Sequence, residues 1–164
     1  MTGETGKHAG TIPPFVGYPL ALVAHLLGQR MDRGLSALGV TATGFGVLFQ
    51  LQHNPEVSSA ELARRVLVTP QSAGPLLARL ERDGLVVRDQ IGGPGTPIIS
   101  RITERGRQRL AEAMALVQEI DDDLSAGLAP AERAALVQQL WEMLGRLSPA
   151  AVARPQSKDD AALH

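Results

Sequence analysis

The run from Ser58 to Gly106 constrains this chain most, because it punctuates several elements in one order. Ser58-Ser59-Ala60-Glu61 has capping-box spacing, in which a Ser hydroxyl and a Glu side chain satisfy each other's orphan backbone amides at a helix start. Leu62 and Val66 then face inward, Ala63 is small enough to let a crossing helix approach, and Leu67 and Val68 fill a short turn. Thr69 caps a second helix and Pro70 occupies its first position, where a missing N–H costs nothing. Leu76, Leu77 and Leu80 form its buried stripe, and Gly84 suits the left-handed residue that closes it. Leu85-Val86-Val87-Arg88 and Pro97-Ile98-Ile99-Ser100-Arg101-Ile102 read as paired strands about a Gly92-Gly93-Pro94-Gly95 tip. Thr103 caps the helix that follows.

This order is the plan of a winged helix-turn-helix, which presents one helix to a groove of DNA. The flanks read as helical. Leu22, Val23, Leu26, Leu27 and Met31 recur at three- and four-residue spacing from about Pro19 to Leu38, and Pro13, Pro14 and Pro19 break up the segment before it. Thr41 or Thr43 caps a helix carrying Phe45, Leu48, Phe49 and Gln52 on one face, stopped by Asn54-Pro55. After Thr103, Leu110, Ala113, Met114, Val117, Ile120 and Leu124 line a long helix that Gly127 and Pro130 interrupt, and Leu136, Leu140, Leu144 and Leu147 line a last one. The expected fold is mainly α with a small β wing, about six helices and one β-hairpin. Within it, residues 1–12 are a flexible arm, 13–40 an N-terminal dimerisation helix and 41–103 the winged DNA-binding region. Residues 104–147 are C-terminal dimerisation helices and 148–164 a disordered tail.

Composition narrows the function. With 44% apolar but only 3% aromatic residues, Leu, Val, Ile and Ala must fill the core. The chain has no Cys, which removes disulfides and thiolate metal or redox sites. No run approaches the roughly 20 apolar residues of a membrane span, and the first residues lack a signal-peptide core, so a soluble cytoplasmic protein is expected. The net charge of −1 is unevenly spread: residues 58–109 carry nine Arg against five acids, the remainder seven basic against twelve acidic residues. A local positive face on a near-neutral molecule suits nucleic acid. Catalysis is not expected. The four His are scattered and no His-x-x-x-His pair, nucleophile elbow or phosphate loop occurs. Asp121-Asp122-Asp123 reads as a solvated acidic turn rather than a metal site, and no cofactor is implied.

The chain resembles the MarR family of bacterial transcription regulators from about Leu20 to Leu147. Thr43-Gly44-Phe45-Gly46-Val47-Leu48-Phe49 resembles the family's second helix, and Glu61-Leu62-Ala63 its first helix-turn-helix helix. Leu80-Glu81-Arg82-Asp83-Gly84-Leu85-Val86 resembles its Leu-Glu-x-x-Gly-Leu-Val, and Ile102-Thr103-Glu104-Arg105-Gly106 its Leu-Thr-x-x-Gly. The resemblance implies a homodimer joined through the first and last two helices, with two winged modules on successive major grooves of a palindromic site. It also implies a small aromatic or acidic effector held where the dimer helices meet the winged module. Phe15, Tyr18, Leu22, His25, Phe45 and Phe49 are the candidates there. The chain departs from the family twice. The wing tip lacks the Arg of the family's Asp-x-Arg, and Gly74-Pro75 stands where relatives carry Thr-Arg. Beyond the first turn, Pro75 removes one helical hydrogen bond, at about 3 kcal/mol or a kink.

A recognition helix reads bases with its N-terminal half. Thr69, Pro70, Gln71, Ser72 and Pro75 are the candidates: Gln71 can pair with adenine, Ser72 can bond several bases, and Pro75 can touch a thymine methyl. Arg79 is a phosphate or guanine ligand in this reading, and its bland alternative is an ion pair with Asp83 four residues on. Ser58, Ser59, Arg64, Arg88 and Arg101 would position the duplex backbone, Arg64 being preferred over Arg65. The expected function is a ligand-responsive repressor, a homodimer on double-stranded DNA. The alternative is a winged-helix interaction module that has lost DNA specificity.

Overall fold

The computed structural model describes residues 15–55, 57–90 and 96–149. The expected arm at 1–12, the Gly92–Gly95 tip and the tail beyond residue 149 lie outside the described residues. Helix α1 spans Gly17–Leu35 and runs into a 3₁₀ turn at Ser36–Leu38. It starts two residues before Pro19, which therefore sits in the first turn, where helical amides have no partner to lose. Helix α2 spans Ala42–His53, with Thr41 as its cap: the Thr41 hydroxyl accepts from the Gly44 amide at 3.0 Å.

Strand β1 (Val57–Ser58), helix α3 (Ser59–Arg65) and helix α4 (Pro70–Arg82) follow. The Ser58 hydroxyl accepts from the Glu61 amide at 3.2 Å, but the Glu61 carboxylate turns to Arg64 and Arg65, so only half of the capping box forms. Between α3 and α4 the expectation that Leu67 fills the turn is wrong. Leu67 has φ +57° and is 60% exposed, because the tight reversal requires a left-handed residue there and that conformation aims the side chain at solvent.

Strands β2 (Val86–Gln90) and β3 (Ile98–Ile102) pair antiparallel, and β1 adds to the far edge of β3, giving the order β1-β3-β2. The third strand was not expected; at two residues it has no periodicity to detect. Register places Val86 opposite Ile102 and Arg88 opposite Ser100. Val86, Ser100 and Ile102 are buried, while Val87 and Asp89 are exposed, so alternate residues of the wing face in and out. The core joins Val47, Leu48 and Leu51 of α2, Leu62 of α3, Leu77 and Leu80 of α4, and Leu85, Val86 and Ile102 of the wing.

Helix α5 (Glu104–Leu124) is anchored at its start. The Thr103 hydroxyl donates to the Gly84 carbonyl at 2.7 Å and accepts from the Gly106 amide at 2.9 Å. Gly84 has φ +72°, as a closing glycine should. Gly106 packs directly on the Leu85 carbonyl: a Cβ there would sit 2.1 Å from that oxygen. Farther along α5, Leu110, Ala113 and Ile120 are buried as expected, but Met114 is 39% and Leu124 52% exposed. Asp121, Asp122 and Asp123 belong to the last turns of this helix, not to a turn. Asp123 pairs with Arg30 of α1, and Asp121 and Asp122 with Arg133. Helix α6 (Pro130–Leu147) buries no residue; Leu136, Val137, Leu140 and Trp141 all lie exposed. No single helix among the described residues is long and apolar enough to cross a membrane.

Candidate nucleic-acid interface

Helix α4 presents its first turns to solvent. The Thr69 hydroxyl accepts from the Ser72 amide at 3.2 Å and lies 3.0 Å from the Ser72 hydroxyl, which fixes the N-terminus. Pro70, Gln71, Ser72, Gly74 and Pro75 are exposed, while Ala73, Leu77 and Leu80 face the core. Pro75 does not interrupt the helix, which runs unbroken from Pro70 to Arg82. Its ring sits on the exposed side, and the helix start is fixed upstream by Thr69.

The arginines expected to touch DNA are each held by a carboxylate. Arg64, exposed on α3, donates from Nε to Glu61 Oε2 at 2.9 Å. Arg65 is turned inward, its Nε 3.0 Å from Glu61 Oε1 and its Nη1 2.6 Å from Asn54 Oδ1. This separates the two: Arg64 is the one on the surface. Both guanidiniums donate to Glu61 and hold its carboxyl below the usual carboxylate range, the bond from Arg65 being the larger cause. Arg79 Nε lies 3.8 Å from Asp83 Oδ2, a loose helical pair. Arg101 Nη1 donates to Asp89 Oδ2 at 2.7 Å across the outer face of the wing.

Arg88 is different. It lies on the inner face of the wing opposite the buried Ser100, its side chain only 20% exposed, and its Nη1 is 3.7 Å from Glu81 on α4. It ties the wing to the exposed helix. The hydroxyls of Ser58 and Ser59 are also engaged, Ser58 as a cap and Ser59 donating to the Ile98 carbonyl at 3.3 Å. The Asp83 partner of Arg79 was foreseen; what sequence reasoning missed is the pairing of the other acids around this surface, Glu61, Glu81 and Asp89. The Glu61–Arg64 and Glu61–Arg65 pairs are visible as three- and four-residue spacings, but Arg88–Glu81 joins two elements and leaves no local trace.

The six candidate effector residues do not form one site. Phe15, Tyr18, Leu22 and His25 stand exposed on or just before the N-terminal half of α1, with His25 Nε2 2.8 Å from the Gln29 side-chain nitrogen. Phe45 and Phe49 lie together on α2, ring centroids 6.2 Å apart. An open cavity of about 1270 Å³ lies between the end of α2 and the α5–α6 elbow, and of the six only Phe49 lines it. His53, its ring tilted against Phe49 with centroids 4.4 Å apart, shares the wall with Arg133, Val137 and Trp141. Trp141 and His53 gave no sequence signal for this place, since only the turn at Gly127 brings α6 opposite α2.

A family model described as the MarR family matches residues 38–93. The helix-turn-helix transcriptional repressor Rv2887 of Mycobacterium tuberculosis is 37% identical over 131 residues, spanning 79% of this chain and 93% of the relative. A crystal structure of the M. tuberculosis MarR family protein Rv2887 in complex with DNA superposes with a TM-score of 0.64 at 32% identity, covering 79% of this chain and 97% of the other. The same protein in complex with salicylic acid gives a TM-score of 0.64 at 33% identity, covering 79% and 96%.

Proposed function

This chain belongs to the MarR family, and from that premise we propose that it is a ligand-responsive transcriptional repressor that binds a pseudo-palindromic operator as a homodimer. The observation that carries the reading is the exposed, capped N-terminal half of α4, flanked by cations on α3 and the wing. Gln71 and Ser72 meet base edges, Pro75 lies against a thymine methyl, and Arg64, Arg79 and Arg101 meet phosphates. Thr69 and Pro70 fix the helix start, and Ser58 and Ser59 offer their positions to the duplex backbone. Arg88 acts behind them, by holding the wing to α4.

Dimerisation supplies the second helix. The apolar faces of α1 and α6, with Tyr18, Leu22, Leu136, Leu140 and Trp141 exposed, are what a self-complementary interface would cover. The protein acts by binding rather than catalysis, in the cytoplasm. A small aromatic acid is the effector class, because a related protein crystallises with salicylic acid. Of the six candidates, Phe45 and Phe49, which lie together on α2, remain its proposed contacts. A ligand releases DNA only if it binds the DNA-incompetent dimer better.

A gel-shift with the duplex upstream of its own gene, with and without salicylate, tests the reading. A retarded band at two protomers per site, weakened by the acid, is expected. No shift at low salt would remove the repressor assignment. A shift that no aromatic acid alters would remove the effector.

A further inference from the structure

Three of the arginines assigned to the interface are not open charges. Arg64, Arg79 and Arg101 stand at three places around the exposed end and flank of the recognition helix, and each has a carboxylate beside it: Glu61, Asp83 and Asp89. We propose that these carboxylates mask the arginines, so that these three positions carry little net charge until a duplex displaces the acids. This rests on the DNA-binding role inferred above.

The physical argument is one of exchange. Sequence-independent affinity comes from cations that neutralise phosphates and release the duplex's condensed counterions. An arginine already neutralised by its own protein's carboxylate releases fewer, because the phosphate must first take the carboxylate's place. Exposed pairs of this kind are worth about 0–1 kcal/mol, so a well-placed phosphate wins the exchange. A phosphate offered at the wrong register faces the retained carboxylates and is repelled. Masking therefore lowers affinity for unrelated sequence more than for the operator, where Gln71 and Ser72 also engage bases. The acids act as specificity-determining residues without touching a base. The buried-side pair of Arg88 with Glu81 is not part of this device, since Arg88 is largely enclosed.

Asp83→Asn and Asp89→Asn, singly and together, test this in the full-length protein. Fluorescence anisotropy would follow binding to an unrelated duplex and to the duplex upstream of its own gene, between roughly 50 and 200 mM salt. Glu119→Gln makes the same charge change on α5, away from the interface and from any ion pair among the described residues, and serves as the control. The unrelated duplex should bind the Asp variants several-fold more tightly, with a salt slope steeper by about 0.9 for each arginine unmasked. The ratio of specific to unrelated affinity should fall, and Glu119→Gln should behave as the parent. Parent-like slopes in the Asp variants, or an equal gain in the control, would overturn masking while leaving DNA binding intact. A parent that binds neither duplex at the lowest salt would overturn the DNA-binding reading and the mask with it. Both aspartates are exposed, and a circular dichroism melt of each variant verifies that the fold is kept.

Discussion

Gly106 is where single atoms matter most. Its missing side chain lets the first turn of α5 lie on the Leu85 carbonyl, and a Cβ would also press on Ile102 at 2.7 Å. The obstructing atom is backbone, so it cannot rotate away. Gly106→Ala should cost about 3 kcal/mol, read as a lowered urea midpoint, with a mild loss refuting so tight a fit. Glu61 has the opposite character: its contribution is electrostatic and depends on pH. Its folded-state pKa is lowered by Arg65 and Arg64, so its stabilisation is present above the ordinary carboxylate range and is lost as pH falls through the lowered value. Glu61→Gln should reduce stability near neutrality and leave it unchanged in strong acid. Denaturation midpoints of parent and variant that run parallel across that range would contradict the pairing.

At the scale of the element, α4 keeps a proline beyond its first turn and stays continuous. Pro75 removes the amide that would otherwise donate to the carbonyl four residues earlier in the helix. Pro75→Ala should therefore raise stability by about 1–3 kcal/mol in a chemical denaturation series. Should the variant be no more stable, the proline costs the helix nothing. Helix starts were readable from the sequence because Thr41, Ser58, Thr69 and Thr103 act within three residues of themselves. The closing turn at Gly84 was readable for the same reason. What was not readable depends on distant partners. Strand β1 exists only through its pairing with β3. The acids beside the interface are joined to it partly by tertiary contact, as Glu81 is to Arg88. The family resemblance placed Phe15 and Tyr18 together with Phe45 and Phe49, yet the fold sends Phe49 to a cavity and leaves Phe15 and Tyr18 on the surface.

The whole molecule has one well-filled half and one unfinished half. The winged region buries a continuous set of side chains, whereas α6 and the first half of α1 bury none of theirs. Leu140→Glu, placed in the middle of the exposed face of α6, should convert the protein to a monomer in light scattering and abolish operator binding together with it. A dimer that survives the charge would place the interface elsewhere. The same helix makes order in that half a matter of mass action. Its melting temperature should climb with protein concentration while the winged region's does not, and Trp141, the chain's single tryptophan, is seated to register the difference by its emission. In a cell that keeps few copies of such a regulator, abundance itself would then decide how much of it has a complete shape.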